Sequence, residues 1–147
     1  MQTEYRNFGI QFTYPEDWSL IDEDASGWPR RVSVQSPHTA YWELQIYPAE
    51  YSPVALTQKA LDVFREEYAD LDSQPVSESV DHHQIVGYDL DFLCLDFVVT
   101  CQVRSLSLGG QTLLLICQAE SREYEEQREV FEAITRSLTS AEAPPSD

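Results

Sequence analysis

Basic residues are what this chain has least of. Nine Lys and Arg, with Lys59 the only lysine, stand against 26 Asp and Glu, a formal charge of -17 over 147 residues. Phosphate backbones are held mainly by Lys and Arg, so nucleic acid and anionic membrane surfaces are excluded as primary ligands. The same imbalance favours fast encounter with a basic protein partner and says nothing about fold. Cysteine is scarce as well: Cys94, Cys101 and Cys117 are odd in number, lie in apolar runs and lack the CxxC spacing of zinc or redox sites. Three reduced, buried thiols are expected, with no metal and no cofactor. No stretch approaches the ~20 apolar residues of a membrane span. Met1 to Arg6 shows neither the basic start nor the apolar run of a secretory signal, so a cytoplasmic chain is expected. A Gly-rich phosphate loop and a GxSxG nucleophile turn are also missing.

What is present suffices for a core. Hydrophobic residues make up 42% of the chain, enough to offset chain entropy in one globular domain over residues 1–140. Residues 141–147 hold no core-forming side chain and are expected to be a flexible acidic tail.

Phe8, Ile10, Phe12 and Tyr14 alternate with polar or small residues, the period of a strand with one buried face. Pro15 ends it in a turn, and Trp18 and Leu20 start a short extended piece. Val32 and Val34, then Trp42, Leu44 and Ile46, alternate on either side of Ser36 to Thr39, predicting an antiparallel hairpin with one wet face carrying Tyr41, Glu43, Gln45 and Tyr47. Ser52-Pro53 is a helix start, and the stripe Leu56, Ala60, Leu61, Phe64, Tyr68 and Leu71 predicts a helix to about Leu71. A weak strand over Val76 to Val80 precedes a long β-rich stretch from Ile85, divided near Leu95-Asp96 and turned again at Gly109-Gly110. Leu113 to Cys117 are apolar on both faces, as a central strand should be. Ser121 opens a last helix with an inner stripe of Tyr124, Gln127, Phe131, Ile134 and Leu138. The expected class is α+β, an antiparallel sheet sandwiched between helices in three α/β/α layers.

Within that order, Phe8-Gly9-Ile10-x-Phe12-x-Tyr14-Pro15-x-x-Trp18, Gly87 after the mid-chain strand, and the closing Phe131-x-x-Ile134-x-x-Ser137-Leu138 resemble the PsbP-like superfamily, which takes in the Mog, DcrB and Eag-type chaperone proteins. The resemblance covers most of the chain. It implies a family of binding and assembly proteins, and it carries over no catalytic residue.

Four features bear on chemistry. Asp22-x-Asp24-x-Ser26-Gly27 matches the first half of a calcium loop, but Ser33 stands where the bidentate glutamate belongs, and Arg30 and Arg31 would oppose a cation; an ordinary acidic turn is expected. His82 and His83, with Asp81, Asp89 and Asp91, offer a metal-dependent or hydrolytic alternative only if the chain turns there; an exposed connection is the plainer reading. Asp96, the one acid in a strongly apolar run, fits an exposed strand junction. Tyr41, Glu43, Tyr47 and Tyr51 form an aromatic, acidic surface of the kind enriched at interfaces, and they are the candidate binding residues. The expected function is a non-catalytic protein-binding or assembly module.

Overall fold

Strands account for most of the chain because its apolar residues recur at two far more often than at three and four. A computed structural model describes residues 1–23 and 27–140. Their elements are β1 (Gln2–Asn7), β2 (Ile10–Pro15), β3 (Ser19–Glu23), β4 (Arg30–Gln35), β5 (Tyr41–Pro48), α1 (Pro53–Glu67), β6 (Asp72–Val80), β7 (His83–Cys94), β8 (Phe97–Leu108), β9 (Gln111–Glu120) and α2 (Ser121–Ser140). Among the described residues they build a separate β1-β2 hairpin and a seven-stranded antiparallel sheet in the order β3-β4-β5-β9-β8-β7-β6, with two helices. The class is mixed α+β.

The doubly apolar strand is central: β9 lies fourth of seven, between β5 and β8. Its residues alternate between two clusters. Leu113, Leu115 and Cys117 join Phe12, Trp42, Leu44, Leu106 and the inner stripe of α2. Leu114 joins Leu56, Leu61, Leu90, Phe92, Cys101 and Val103 beside α1. Since successive side chains on a strand point to opposite faces, one set of β9 side chains serves each cluster.

The turns follow local chemistry. Gly109 and Gly110 take positive φ in the β8-β9 turn, Leu95 and Asp96 do so between β7 and β8, and Asp81 and His82 between β6 and β7. The division at Leu95-Asp96 is therefore where the strands part, and Asp96 is exposed there. Gly87 serves a different need. A Cβ built on it would stand 1.8 Å from the Val103 carbonyl oxygen, so only glycine lets β7 approach β8 this closely.

Three expectations need correction. Phe8 is not in a strand; with Gly9 it forms a positive-φ turn, φ 55° and 75°, and the preceding Gln2–Asn7 is itself a strand paired to β2. Only Tyr5 of that strand is buried, against Phe12 with ring centroids 5.0 Å apart, so its pattern carries no alternation to read. The first helix stops at Glu67 because Tyr68, its cap, takes extended backbone angles of φ -126° and ψ 92°; Tyr68 and Leu71 still pack on the same cluster. The β6 strand begins at Asp72, four residues before Val76, with Pro75 tolerated because β6 is a sheet edge.

Candidate functional site

The helix α1 packs on β7, β8 and β9 and leaves the same sheet face bare over β3, β4 and β5. Ser52 caps it, accepting from the Ala55 amide at 3.3 Å, with Pro53 in the first turn. Leu56 and Leu61 are buried on cluster residues of β7 to β9, which sets the helix off-centre. An open trough of about 880 Å³ results between α1 and the bare strands. Leu56, Ala60, Val63, Phe64, Leu114 and Ile116 give it apolar walls and floor, and Tyr47, Tyr51 and Tyr68 line it as well.

Along β5 the bare face carries a hydrogen-bonded rail. The Tyr41 hydroxyl donates to Glu43 Oε1, Gln45 Nε2 donates to Glu43 Oε2, and the Tyr47 hydroxyl donates to Gln45 Oε1 at 2.7 Å. Both Glu43 oxygens are thus engaged. Burial, then the hydrogen bond and charge of Glu43, push the Tyr41 phenol well above its ordinary value, so it stays a donor. Burial raises Tyr47 too, against an opposing pull from Arg31. The ring of Tyr51 lies 5.2 Å from that of Tyr47 and is 45% exposed. All four expected binding residues therefore lie along one ledge. This face is half covered rather than wet, however. Gln45 is buried and Tyr41, Glu43 and Tyr47 are half-buried, because each side chain shelters its neighbour two residues along and α1 walls the trough.

Two cations line the trough that sequence reading did not connect to it. Arg31 sits opposite Gln45 in the β4-β5 register, and Gln45 opposite Leu114 on β9, which puts Arg31 on the trough side. Lys59 lines it from α1, on the helix face shared by Ala55 and Val63. The alternation of Arg31 with Val32 and Val34 gave its face; nothing in the pattern showed where α1 would lie.

The histidine pair does not build a metal cluster with the neighbouring acids among the described residues. His82 is exposed in the β6-β7 turn and His83 is half-buried in β7. Asp81 accepts from Thr139 at 2.7 Å, Asp91 from Thr100 at 2.9 Å, and Asp89 takes the Arg104 guanidinium at 2.7 Å. Among the described residues no three His, Cys, Asp or Glu side chains gather as a metal site. Asp22 lies in β3, where it accepts from the Tyr5 hydroxyl at 3.0 Å, while Asp24 and Ser26 lie outside the described residues.

The thiols divide. Cys101 and Cys117 are buried, and burial pushes Cys117 up to about 12 and Cys101 well above its ordinary value. Cys94 is only half-buried, since it stands at the outer end of β7, past the last β6 pair at Asp91. It shares a hollow of about 440 Å³ with His38, but its hydrogen-bond partner is the Tyr68 hydroxyl at 4.0 Å. Beside it Leu93, Leu95, Phe97 and Val98 are exposed on the hairpin tip, an apolar patch at the junction expected near Leu95-Asp96.

No protein-family model matches this chain, and no curated protein matches it. Solved structures do. The solution structure of the cyanobacterial PsbP of Synechocystis sp. PCC 6803 is similar at a TM-score of 0.66 and 12% identity, over 92% of this chain and 90% of that one. The crystal structure of PA94 from Pseudomonas aeruginosa, a protein of unknown function, is similar at 0.56 and 12% identity, over 99% of both chains. The fold is PsbP-like, as the short aromatic motifs and Gly87 implied.

Proposed function

We propose that this PsbP-fold chain is a non-catalytic protein-binding module with an assembly or chaperone-like role, holding its partner on the ledge of Tyr41, Glu43, Tyr47 and Tyr51. The observation that carries the proposal is the Tyr41-Glu43-Gln45-Tyr47 rail along β5, on the half-covered sheet face beside α1. Side chains fixed before binding lose little further freedom on association, and tyrosine brings large contact area at low entropic cost. The alternation of β9 between two clusters supports a three-layer arrangement, α1 on one face and α2 with the β1-β2 hairpin on the other. Three unpaired cysteines support a reducing compartment, the cytoplasm. No helix among the described residues is long and apolar enough to cross a membrane.

The test is affinity capture from the native host by the wild-type chain and by Tyr51→Ala in parallel, followed by mass spectrometry. A protein retained by the first and lost by the second is the expected result. Equal retention of every captured protein removes the ledge from the proposal, and a turnover assay positive on any substrate removes the non-catalytic reading.

A further inference from the structure

Acidic side chains outnumber basic ones 26 to nine, yet five of the nine cations make no ion pair among the described residues. Arg6 pairs with Glu4, Arg128 with Glu125, and Arg104 with both Glu78 and Asp89. Arg30 lies over the Phe8 and Trp28 rings. Arg31, Lys59, Arg65, Arg122 and Arg136 are without an ion pair among the described residues, and of these Arg31 and Lys59, both exposed, line the same trough, one from β4 and the other from α1. Between them the lining is apolar or aromatic, with Gln45 and Gln118 as its neutral polar groups. Glu67 is the acid that lines it; it lies eight residues beyond Lys59 on α1, about 12 Å along the axis.

We infer that this trough is a binding site for a single-chain amphiphile with an anionic head, a fatty carboxylate or its like. The volume of about 880 Å³ falls in the range of small-molecule sites, roughly 300–1,000 Å³. The head rests between Arg31 and Lys59, where it supplies the missing counter-charge, and the tail lies on Ala60, Phe64, Leu114 and Ile116. A net charge of -17 repels anions at long range, but at about 0.15 M salt that field is screened beyond ~8 Å. The nearest charges then decide: Arg31 and Lys59 line the trough, while the Glu43 carboxylate, next along the β5 face and outside the lining, has its two oxygens held by Tyr41 and Gln45. The trough shares Tyr47 and Tyr51 with the tyrosine ledge, yet this inference does not depend on a protein partner.

The experiment is isothermal titration at about 0.15 M salt with three probes kept below their micelle concentrations: dodecanoate, dodecyltrimethylammonium and neutral dodecyl maltoside. Saturable one-to-one binding of dodecanoate is expected, at least about tenfold tighter than either other probe. Arg31→Gln and Lys59→Gln should each weaken dodecanoate about fivefold with unchanged thermal melting, since both side chains are exposed. Val63→Glu, at a 56% exposed position in the lining, should abolish dodecanoate binding and spare the cationic probe. The inference is overturned if dodecanoate does not saturate, if either other probe binds as tightly, or if both charge variants bind dodecanoate like wild type. A protein partner lost in Tyr41→Ala, a ledge residue outside the trough lining, with these titrations unchanged, bears only on the ledge.

Discussion

Thr39 and Glu123 meet across 84 residues of chain: one oxygen of the buried carboxylate accepts both the Thr39 amide, at 2.7 Å, and the Thr39 hydroxyl, at 2.6 Å. The other accepts from Ser36 at 2.7 Å. The first turn of α2 is thereby fastened to the β4-β5 connection, at one end of the strand that carries the ledge.

That clasp has a pH signature. Burial pushes the Glu123 carboxyl up, but the hydrogen bonds from Thr39 and Ser36 and the Thr39 and Ala40 amides outweigh it, leaving the group below its ordinary value of 4.5. A folded-state value below the unfolded one means the contribution is complete above about 4.5 and is lost as pH falls through the folded value. Glu123→Gln should cost about 1–3 kcal/mol at neutral pH and flatten the acid limb of stability measured by urea melts across pH. A variant as stable as wild type at pH 7, with the same acid limb, would contradict this.

At Gly87 the contact is with backbone, which cannot swing aside as a side chain can. Gly87→Ala should therefore lose at least the ~1–3 kcal/mol typical of overpacking, read from the urea midpoint. The comparison is Gly27→Ala, where a Cβ meets nothing within 4 Å and no such loss is expected.

Thiol labelling separates the three cysteines. Cys101 and Cys117 are buried with raised values and should react only on unfolding, whereas the half-buried Cys94 should label in the native state. One equivalent is expected with a thiol reagent, and none in Cys94→Ser. Native labelling of two or three equivalents would show that the sheet centre opens.

What was legible depended on whether a residue's environment follows from its near neighbours. The Gly109-Gly110 turn, the Ser52-Pro53 cap and the two-sided pattern of Leu113 to Cys117 are local chemistry, and each predicted its element. The β1 strand was missed because Tyr5 alone is buried, so no alternation exists. The ledge was half legible: alternation put Tyr41, Glu43, Gln45 and Tyr47 on one face, but their shelter comes from a mutual hydrogen-bond rail and from α1. Arg31 and Lys59 come together only through the off-centre seat of that helix, which depends on Leu56 and Leu61 finding partners 29 or more residues away in sequence on β7 to β9.

The ledge itself separates charge from contact in the kinetics of a captured partner. With a formal charge of -17, association with a basic protein should slow as salt rises, because the screening length falls from ~30 Å at 0.01 M to ~10 Å at 0.1 M. Tyr51→Ala removes a 45% exposed ring and no hydrogen bond made by its hydroxyl in this structure, so melting should be unchanged. Its effect belongs in dissociation, faster by about fivefold or more, since truncating an interface tyrosine commonly costs upward of ~1 kcal/mol. Tyr41→Phe makes the complementary change: it keeps the ring and removes a donor to Glu43, so it should lower stability by about 1 kcal/mol. Surface plasmon resonance at two salt concentrations, beside thermal melts, reads all four quantities. Wild-type dissociation from Tyr51→Ala, or an association rate indifferent to salt, would place the partner somewhere other than this ledge.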